Sequence, residues 1–284
     1  MDTSYDRNLS GVEKMPYTEH MKWPTTLIFI RHGESAFNAL RAKKQRMEHY
    51  DEFRELFTKE FSVAVTPDWP SAKLVAMANE IWKECRLDEN DYDTPLTDAG
   101  REQARTTGEQ LAKQSYLPDV VFVSPYLRTR QTLEEIQKGW PALRDVRVVS
   151  EERIREQEHG LSTLYNDRSV YFTLNPLQGL LYKLEGDYGY RYQNGENKAD
   201  VRDRVRSFLS TTIREYSEQT VLCISHHLTL LSLRANLERW DREQFMKVDY
   251  EDFPINCGVT IYKGDPRKGQ SGRLQLESYN QKLY

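Results

Sequence analysis

The sequence has no apolar run approaching the ~20 residues that cross a bilayer as a helix, and its first 20 residues lack the apolar core of a secretory signal. Cysteine is scarce. Cys85, Cys223 and Cys257 are widely spaced and odd in number, which gives neither a metal-ligand spacing nor a disulfide framework, and a reducing compartment is the default expectation. Neither sign of charge dominates: 40 lysines and arginines stand against 44 acidic residues, a net charge of −4, so no general attraction to nucleic acid or an anionic membrane follows. Repeats, low-complexity tracts and linker-like stretches are also missing. These absences predict a soluble cytoplasmic protein whose partner is neither nucleic acid nor a membrane. The oligomeric state is left open.

What is present reads as alternating strands and helices. Residues 1–22 are polar and without period, which predicts an N-terminal arm, and residues 23–284 read as one domain. Four apolar runs have the length and branching of strands buried on both faces: Thr26–Ile30, Val120–Val123, Val146–Val149 and Val221–Ile224. Between them, helical spacing is clear from Thr97 through Gly100, Ala104, Gly108 and Leu111, and from Val201 through Val205, Phe208, Leu209 and Thr212. The small residues four apart after Thr97 predict a helix lying close to the sheet. Ser124 and Pro125 suit the start of the next helix, on which Arg128 and Arg130 point in different directions. Gly258–Tyr262 and Arg273–Leu276 read as a closing hairpin. The expected fold is α/β, a three-layer sandwich with a mostly parallel central sheet, helices on both faces and an antiparallel edge.

Two segments do not belong to that alternation. Residues 39–93 carry a short basic run (Arg41, Lys43, Lys44, Arg46) and then two helical stretches, the second from Ser71 to Cys85, which predicts a helical insertion. Residues 161–195 are rich in Tyr, Gly and Asn without a strong period, and read as a long excursion over one end of the domain.

The chemistry gathers at strand ends. The four runs are followed by Arg31-His32-Gly33, by Arg128, by Glu156 and by His226. Parallel strands place their carboxyl ends on one edge of the sheet, so these residues are expected to converge. Together they suit phosphoryl transfer without a cofactor. A neutral imidazole attacks phosphorus and forms a phosphohistidine that water later cleaves. Arg31 and Arg128 neutralise the phosphoryl oxygens with planar, bidentate hydrogen bonds, with His226 and Asn38 as further donors. The same positive charge keeps His32 unprotonated. The leaving group needs a proton, and Glu156 is the candidate acid, later acting as base on water.

The residues resemble a known family. Arg31-His32-Gly33-Glu34-Ser35 with Asn38, then Thr94-Pro95-Leu96-Thr97-Asp98-Ala99-Gly100, then Ser124 to Thr132 around Arg128, then Ile154 to Gly160 around Glu156, and finally Ile224-Ser225-His226, are similar in kind and order to the motifs of the histidine phosphatase superfamily, the phosphoglycerate-mutase-like proteins. The resemblance implies a phosphohistidine at His32, no metal, and a phosphate pocket of Arg31, His32, Asn38, Arg128 and His226. Ser35 and Gly33 enter the expected substrate contacts with the first motif. Tyr190 and Arg191 enter because Tyr190-Arg191-Tyr192 is similar to the substrate-side segment of the family's broad phosphatases. His227 stands where the family usually has Gly, so its ring is expected either to touch substrate or to be displaced to the surface. Three functions are compatible with this pattern: a metal-independent phosphomonoesterase acting on a small phosphorylated metabolite, favoured because no mutase-like insert is recognisable in 157–195; a cofactor-dependent phosphoglycerate mutase; and a non-catalytic phospholigand-binding or scaffold protein.

Overall fold

A computed structural model describes residues 21–63, 69–86, 89–114, 117–269 and 272–284. The N-terminal arm expected over residues 1–22 therefore lies outside the described residues, apart from its last two. Six strands, β1 (Thr26–Arg31), β2 (Val120–Val123), β3 (Arg147–Ser150), β4 (Thr220–Ser225), β5 (Val259–Asp265) and β6 (Arg273–Gln281), form one sheet in the order β3-β2-β4-β1-β5-β6. The first four are parallel, and β5 and β6 extend the sheet antiparallel from β1. The third strand lies one residue later than its pattern suggested. It is an edge strand and mostly exposed, whereas the sequence reading had it buried.

Alternation along the strands divides the core in two, as the two-residue period of a strand requires. Leu27, Phe29, Val120, Phe122, Val221 and Cys223 face α8 (Lys198–Glu215) and α9 (His227–Glu238). Ile28, Ile30, Val121, Val123, Leu222 and Ile224 face α4 (Asp98–Gln114) and α5 (Leu127–Gly139). The result is the expected three-layer sandwich. The small residues of α4 act differently from the expectation. Only Ala104 joins the sheet-facing cluster. A Cβ on Gly108 would meet the Ile136 carbonyl oxygen of α5 at 2.5 Å, and one on Gly100 would meet the Glu34 oxygen at 2.1 Å. The glycines thus bring α4 against α5 and against the loop that follows β1.

The two irregular segments fold together. Residues 39–93 hold three helices: α1 (Ala36–Lys44), which begins just before them, α2 (Glu48–Ser62) and α3 (Ala72–Glu84). The segment 161–195, read as an excursion without period, contains α6 (Arg168–Leu174) and α7 (Pro176–Gly189). Phe53 and Phe57 of α2, Leu74, Ala78 and Ile81 of α3, and Val170, Tyr171 and Phe172 of α6 bury one common core with Trp69, Tyr190 and Tyr192. Lys44, 3% exposed, closes the junction by donating to the Asn166 carbonyl and to Asp167 Oδ2 at 2.6 and 2.9 Å. A further helix, α10 (Arg242–Glu251), packs Phe245 and Val248 on α9. No described helix is long and apolar enough to cross a membrane.

Candidate active site

The strand ends meet as the parallel register requires. Arg31 at the end of β1 pairs with Ser225 at the end of β4, and Val123 of β2 pairs with Ile224, so the residues that follow these strands share one edge. His32 and His226 face each other edge to face, with ring centroids 5.2 Å apart. Both are buried, at 4% and 0% exposure.

The tautomer of His32 follows from its partner. Nδ1 lies 2.7 Å from the Gly33 carbonyl oxygen, which can only accept, so Nδ1 carries the hydrogen and Nε2 keeps its lone pair. Nε2 makes no hydrogen bond among the described residues and is not sealed from solvent. Gly33 itself is required by space rather than by substrate contact. A Cβ there would lie 2.4 Å from the Gly100 carbonyl oxygen, and its N–H is taken by Thr132 Oγ1 at 3.0 Å. Burial first, then the charges of Arg128 and Arg31, hold His32 well below the ordinary histidine value of 6.5, and burial with Arg128 and His32 does the same to His226. Both rings are therefore neutral at physiological pH.

Two buried nitrogens around this pair lack partners: Arg31 Nε, and His226 Nδ1, which is a donor in the tautomer whose Nε2 accepts from the Ser124 hydroxyl. Buried polar atoms are nearly always hydrogen-bonded in native proteins, so such orphans beside a free imidazole nitrogen point to an anion as the missing partner. Another nitrogen of each residue is tied down. Arg31 Nη1 donates to the Pro254 carbonyl at 2.6 Å, and His226 Nε2 lies 2.7 Å from Ser124 Oγ. Burial lowers the Arg31 guanidinium to about 10, against the raising effect of Glu156, and it stays cationic at neutral pH. Ser124 was expected to cap the following helix. Instead its hydroxyl orients His226, and α5 starts after Tyr126 without a side-chain cap. Arg128 is buried over the Tyr126 ring, 4.7 Å from its centroid, and its Nη1 donates to the carbonyl oxygen and Oδ1 of Asp91 at 2.6 and 2.9 Å. Through Asp91 the 39–93 segment reaches the catalytic edge.

Ser35 and Asn38 form a capping box at the start of α1. Asn38 Oδ1 accepts from the Ser35 N–H and hydroxyl at 3.1 and 3.0 Å and from Asn256 Nδ2 at 3.1 Å. The oxygen is thus occupied and only the amide nitrogen of Asn38 is left as a donor, while the Ser35 hydroxyl serves the helix cap. Glu156 is clasped by the start of α9. Its Oε1 accepts from the N–H groups of Gln157 and Leu228 at 2.9 and 3.2 Å, and its Oε2 from that of His227 at 3.1 Å. One lone-pair direction, on Oε2, is left over.

The other expected substrate contacts separate from this set. Tyr190 is 1% exposed, lies in the aromatic core of the helical unit and donates its hydroxyl to Gln178 at 2.7 Å. Arg191 is half-exposed and pairs with Asp200 at the start of α8. Neither meets the histidines. His227 does stay at the edge, with its ring directed to Asp249 of α10 at 2.9 Å. Asp91, Asn256 and Asp249 were not singled out from sequence, and Ser124 only as the start of a helix. Each is a common polar residue in a loop or helix, and only the fold shows which cation, amide or ring it serves.

Comparison with known proteins gives a family and a fold likeness. The family model of the histidine phosphatase superfamily (branch 1) matches residues 80–277. The first motif, at 31–38, lies ahead of that match, beyond the helical insertion. A phosphoglycerate mutase-like protein of Arabidopsis thaliana is 31% identical over 179 residues, which cover 56% of this chain and 61% of that protein. Phosphoserine phosphatase 1 of Hydrogenobacter thermophilus is 26% identical over 212 residues, 74% of this chain and 94% of that protein. Among solved structures, a mycobacterial glucosyl-3-phosphoglycerate phosphatase superposes with a TM-score of 0.58 at 18% identity, covering 90% of this chain and 99% of its own, a likeness of fold. With the motifs joined at one sheet edge and the family match spanning most of the chain, the protein belongs to the histidine phosphatase superfamily, branch 1.

Proposed function

We propose that this protein hydrolyses phosphomonoesters of small metabolites in two steps, through a phosphohistidine on Nε2 of His32. The observation that carries the reading is the pairing of an open, unprotonated Nε2 with two buried orphan donors, Arg31 Nε and His226 Nδ1. A phosphoryl group bound there gives the orphans an acceptor and the lone pair a target. In the first step Nε2 forms the N–P bond as the P–O ester bond breaks. Charge on the phosphoryl oxygens is met by Arg31, Arg128, His226 and the amide nitrogen of Asn38. The leaving oxygen takes a proton from Glu156, whose carboxylate faces the start of α9. In the second step water displaces the imidazole and releases phosphate. Hydrolysis is supported further by the relatives and structural neighbours named as phosphatases.

The test is turnover of an aryl phosphate and a panel of glycerate, sugar and serine phosphates in the presence of a chelator, beside His32→Ala, with acid-stable and acid-labile protein-bound phosphate measured after rapid quench. Release of phosphate with an acid-labile phosphoenzyme, both lost in His32→Ala, is expected. Turnover that survives the substitution, or none from well-folded wild type, overturns the reading. Relatives named as mutases make one further arm necessary: interconversion of 2- and 3-phosphoglycerate without net phosphate release would replace the hydrolase reading with a mutase.

A further inference from the structure

The amino-terminal end of the sheet, opposite the catalytic edge, carries a concentration of positive charge that the phosphoryl chemistry does not use. Trp23 leads into β1 there. Helix α9 ends there too, after running away from His227 for 12 residues, about 18 Å. Two adjoining cavities, of about 360 and 500 Å³, open at this end and share Trp23, Asn236, Leu237 and Arg239 in their walls. Arg202 and Arg206 of α8 line the first, and Lys268 and Arg273 of the β5–β6 hairpin line the second. Five cations thus surround the recess and no carboxylate among the described residues lines it, in a chain whose net charge is −4.

The cations are of two kinds. Arg202 and Arg273 are held. The end of a helix leaves carbonyl groups without helical partners, and Arg202 Nη2 donates to the carbonyls of Ala235 and Trp240 at 3.2 and 2.7 Å, while Arg273 Nη2 donates to that of Leu237 at 2.9 Å. Carbonyl partners fix a guanidinium without cancelling its charge. Arg206 and Arg239 are exposed, and their guanidinium groups make no hydrogen bond or ion pair among the described residues. Arg239 caps α9 with φ of 60°, a backbone state that glycine and asparagine adopt most easily. The α9 dipole favours one cation at this end; it does not account for four arginines around one opening. Between the cations the wall is apolar, with Trp23 and Ile213 half-buried and Leu209 and Leu237 buried.

We infer that this recess binds a nucleoside polyphosphate, at a site separate from the catalytic pair. Guanidinium forks match phosphate oxygens. The two held arginines are already oriented, so little ordering opposes binding, and the two free ones can turn onto the ligand. Cations stand in both cavities, with Arg239 common to the two, which calls for a ligand with more than one phosphate. Trp23 and Ile213 call for a planar, weakly polar part. A base supplies it by stacking on the indole, and a sugar bisphosphate or inorganic polyphosphate does not. Concave walls and a volume of a few hundred Å³ suit a small molecule rather than a flat lipid surface. The site stands whether or not the catalytic edge hydrolyses phosphate esters.

The experiment titrates the full chain by calorimetry with the β,γ-methylene analogue of ATP, whose terminal bridge resists hydrolysis, with inorganic tripolyphosphate, and with vesicles of equal parts phosphatidylcholine and phosphatidylserine. Wild type is compared with the double variant Arg206→Glu/Arg239→Glu, with Trp23→Leu and with His32→Ala, and thermal unfolding checks that each is folded. Both arginines of the double variant are exposed, so its unfolding should match wild type. The analogue should bind His32→Ala as it binds wild type, and bind the double variant at least about tenfold more weakly. Trp23→Leu should weaken the analogue by about fivefold or more and leave tripolyphosphate unchanged. Undiminished binding to the double variant, or binding that His32→Ala loses and the double variant keeps, puts the nucleotide elsewhere and overturns the proposal. Tripolyphosphate that binds wild type as tightly as the analogue overturns it too, since the base would then have no part. Vesicle binding without nucleotide binding would make this face a membrane contact, and no binding of the analogue to folded wild type removes the site.

Discussion

The two faces of the sheet and the helical unit beside them are packed with different side chains. On the sheet, Ile28, Ile30, Val121, Val123, Leu222 and Ile224 on one side, and Leu27, Val120 and Val221 on the other, bring mostly branched aliphatics to positions two apart. The helical unit is mostly aromatic: Phe53, Phe57, Trp69, Tyr171, Phe172, Tyr190 and Tyr192 touch in one cluster, with Phe61 stacked on Phe57 and Phe172 at 4.9 and 6.0 Å. An aliphatic sheet core can be assembled strand by strand. The aromatic core exists only once two segments more than a hundred residues apart have met, as the Lys44–Asp167 and Tyr50–Asp167 contacts show. The catalytic residues sit on the first region, and the 39–93 segment reaches them where Asp91 pairs with Arg128.

The sharpest way to separate the regions is to remove function from the first without touching stability. His32→Ala deletes the nitrogen proposed to attack phosphorus. Its expected effect is loss of phosphoenzyme and of at least about 10⁴-fold in kcat/KM, equivalent to more than about 5 kcal/mol of transition-state stabilisation. Thermal unfolding should change little, since the loss of packing is offset by removing a buried imidazole held neutral. A large fall in stability would mean that the site is part of the fold's support.

The converse substitution is Phe172→Ala. Phe172 is 1% exposed, stacks on Phe61 and packs against Tyr182 and Tyr190. Truncating a buried Phe costs about 3–5 kcal/mol. If the helical unit is a separate cooperative region, hydrogen exchange should rise across α2, α3, α6 and α7 while β1, β2 and β4 stay protected, and hydrolysis of a small aryl phosphate should outlast that of bulkier substrates. Uniform loss of protection would show one cooperative structure instead.

Acid should divide the regions a third way. His32 and His226, held well below 6.5, take up protons in the unfolded chain before they do so in the folded one. Unfolding therefore becomes easier as pH falls below about 6.5, by up to about 1.4 kcal/mol per pH unit for each histidine, until the folded values are passed. Bound inorganic phosphate should reduce this slope, because its charge favours protonated rings. In the helical unit, burial pushes Asp167 up, but Lys44 and the Tyr50 hydroxyl more than offset it and its pKa is lowered below 3.8. Its contribution is lost only below about pH 4. Local exchange measured between pH 7 and 4 should thus report weakening at the β1 and β4 ends first. Simultaneous weakening of α6 would contradict the assignment.

The same contrast explains what could be read from sequence. The strands and their order of chemistry were legible because Leu27–Ile30 and Val221–Ile224 are continuous apolar runs that stop at Arg31-His32 and Ser225-His226. Helix α4 was legible from Thr97, which caps it by accepting from the Gly100 N–H at 3.0 Å. The α6–α7 region was not, for three reasons. Helix α6 has seven residues, too few to show a period; α7 is interrupted at Gly186, which has φ of 70°; and the core these helices join is built from tyrosines such as Tyr171 and Tyr182, whose polar hydroxyls blur an apolar pattern. Individual roles were legible for residues whose chemistry is rare, the histidines and Arg31. They were hidden where an ordinary residue does the orienting. Ser124 looked like a helix cap and instead holds His226.

Tyr190→Phe tests the smallest of these differences. From sequence Tyr190 stood among the substrate contacts, and in the fold its ring touches Phe172, Tyr182 and Tyr192 at 5.6, 5.4 and 5.0 Å while its hydroxyl donates to Gln178. Removing only the hydroxyl leaves the aromatic packing in place and frees the Gln178 side-chain oxygen, at a cost of about 1 kcal/mol of stability. KM for small phosphate esters should stay within about twofold, because no atom facing the histidines has changed. A rise in KM with unaltered unfolding would instead bring Tyr190 back to the substrate, and would require the helical unit to open its aromatic core when substrate binds.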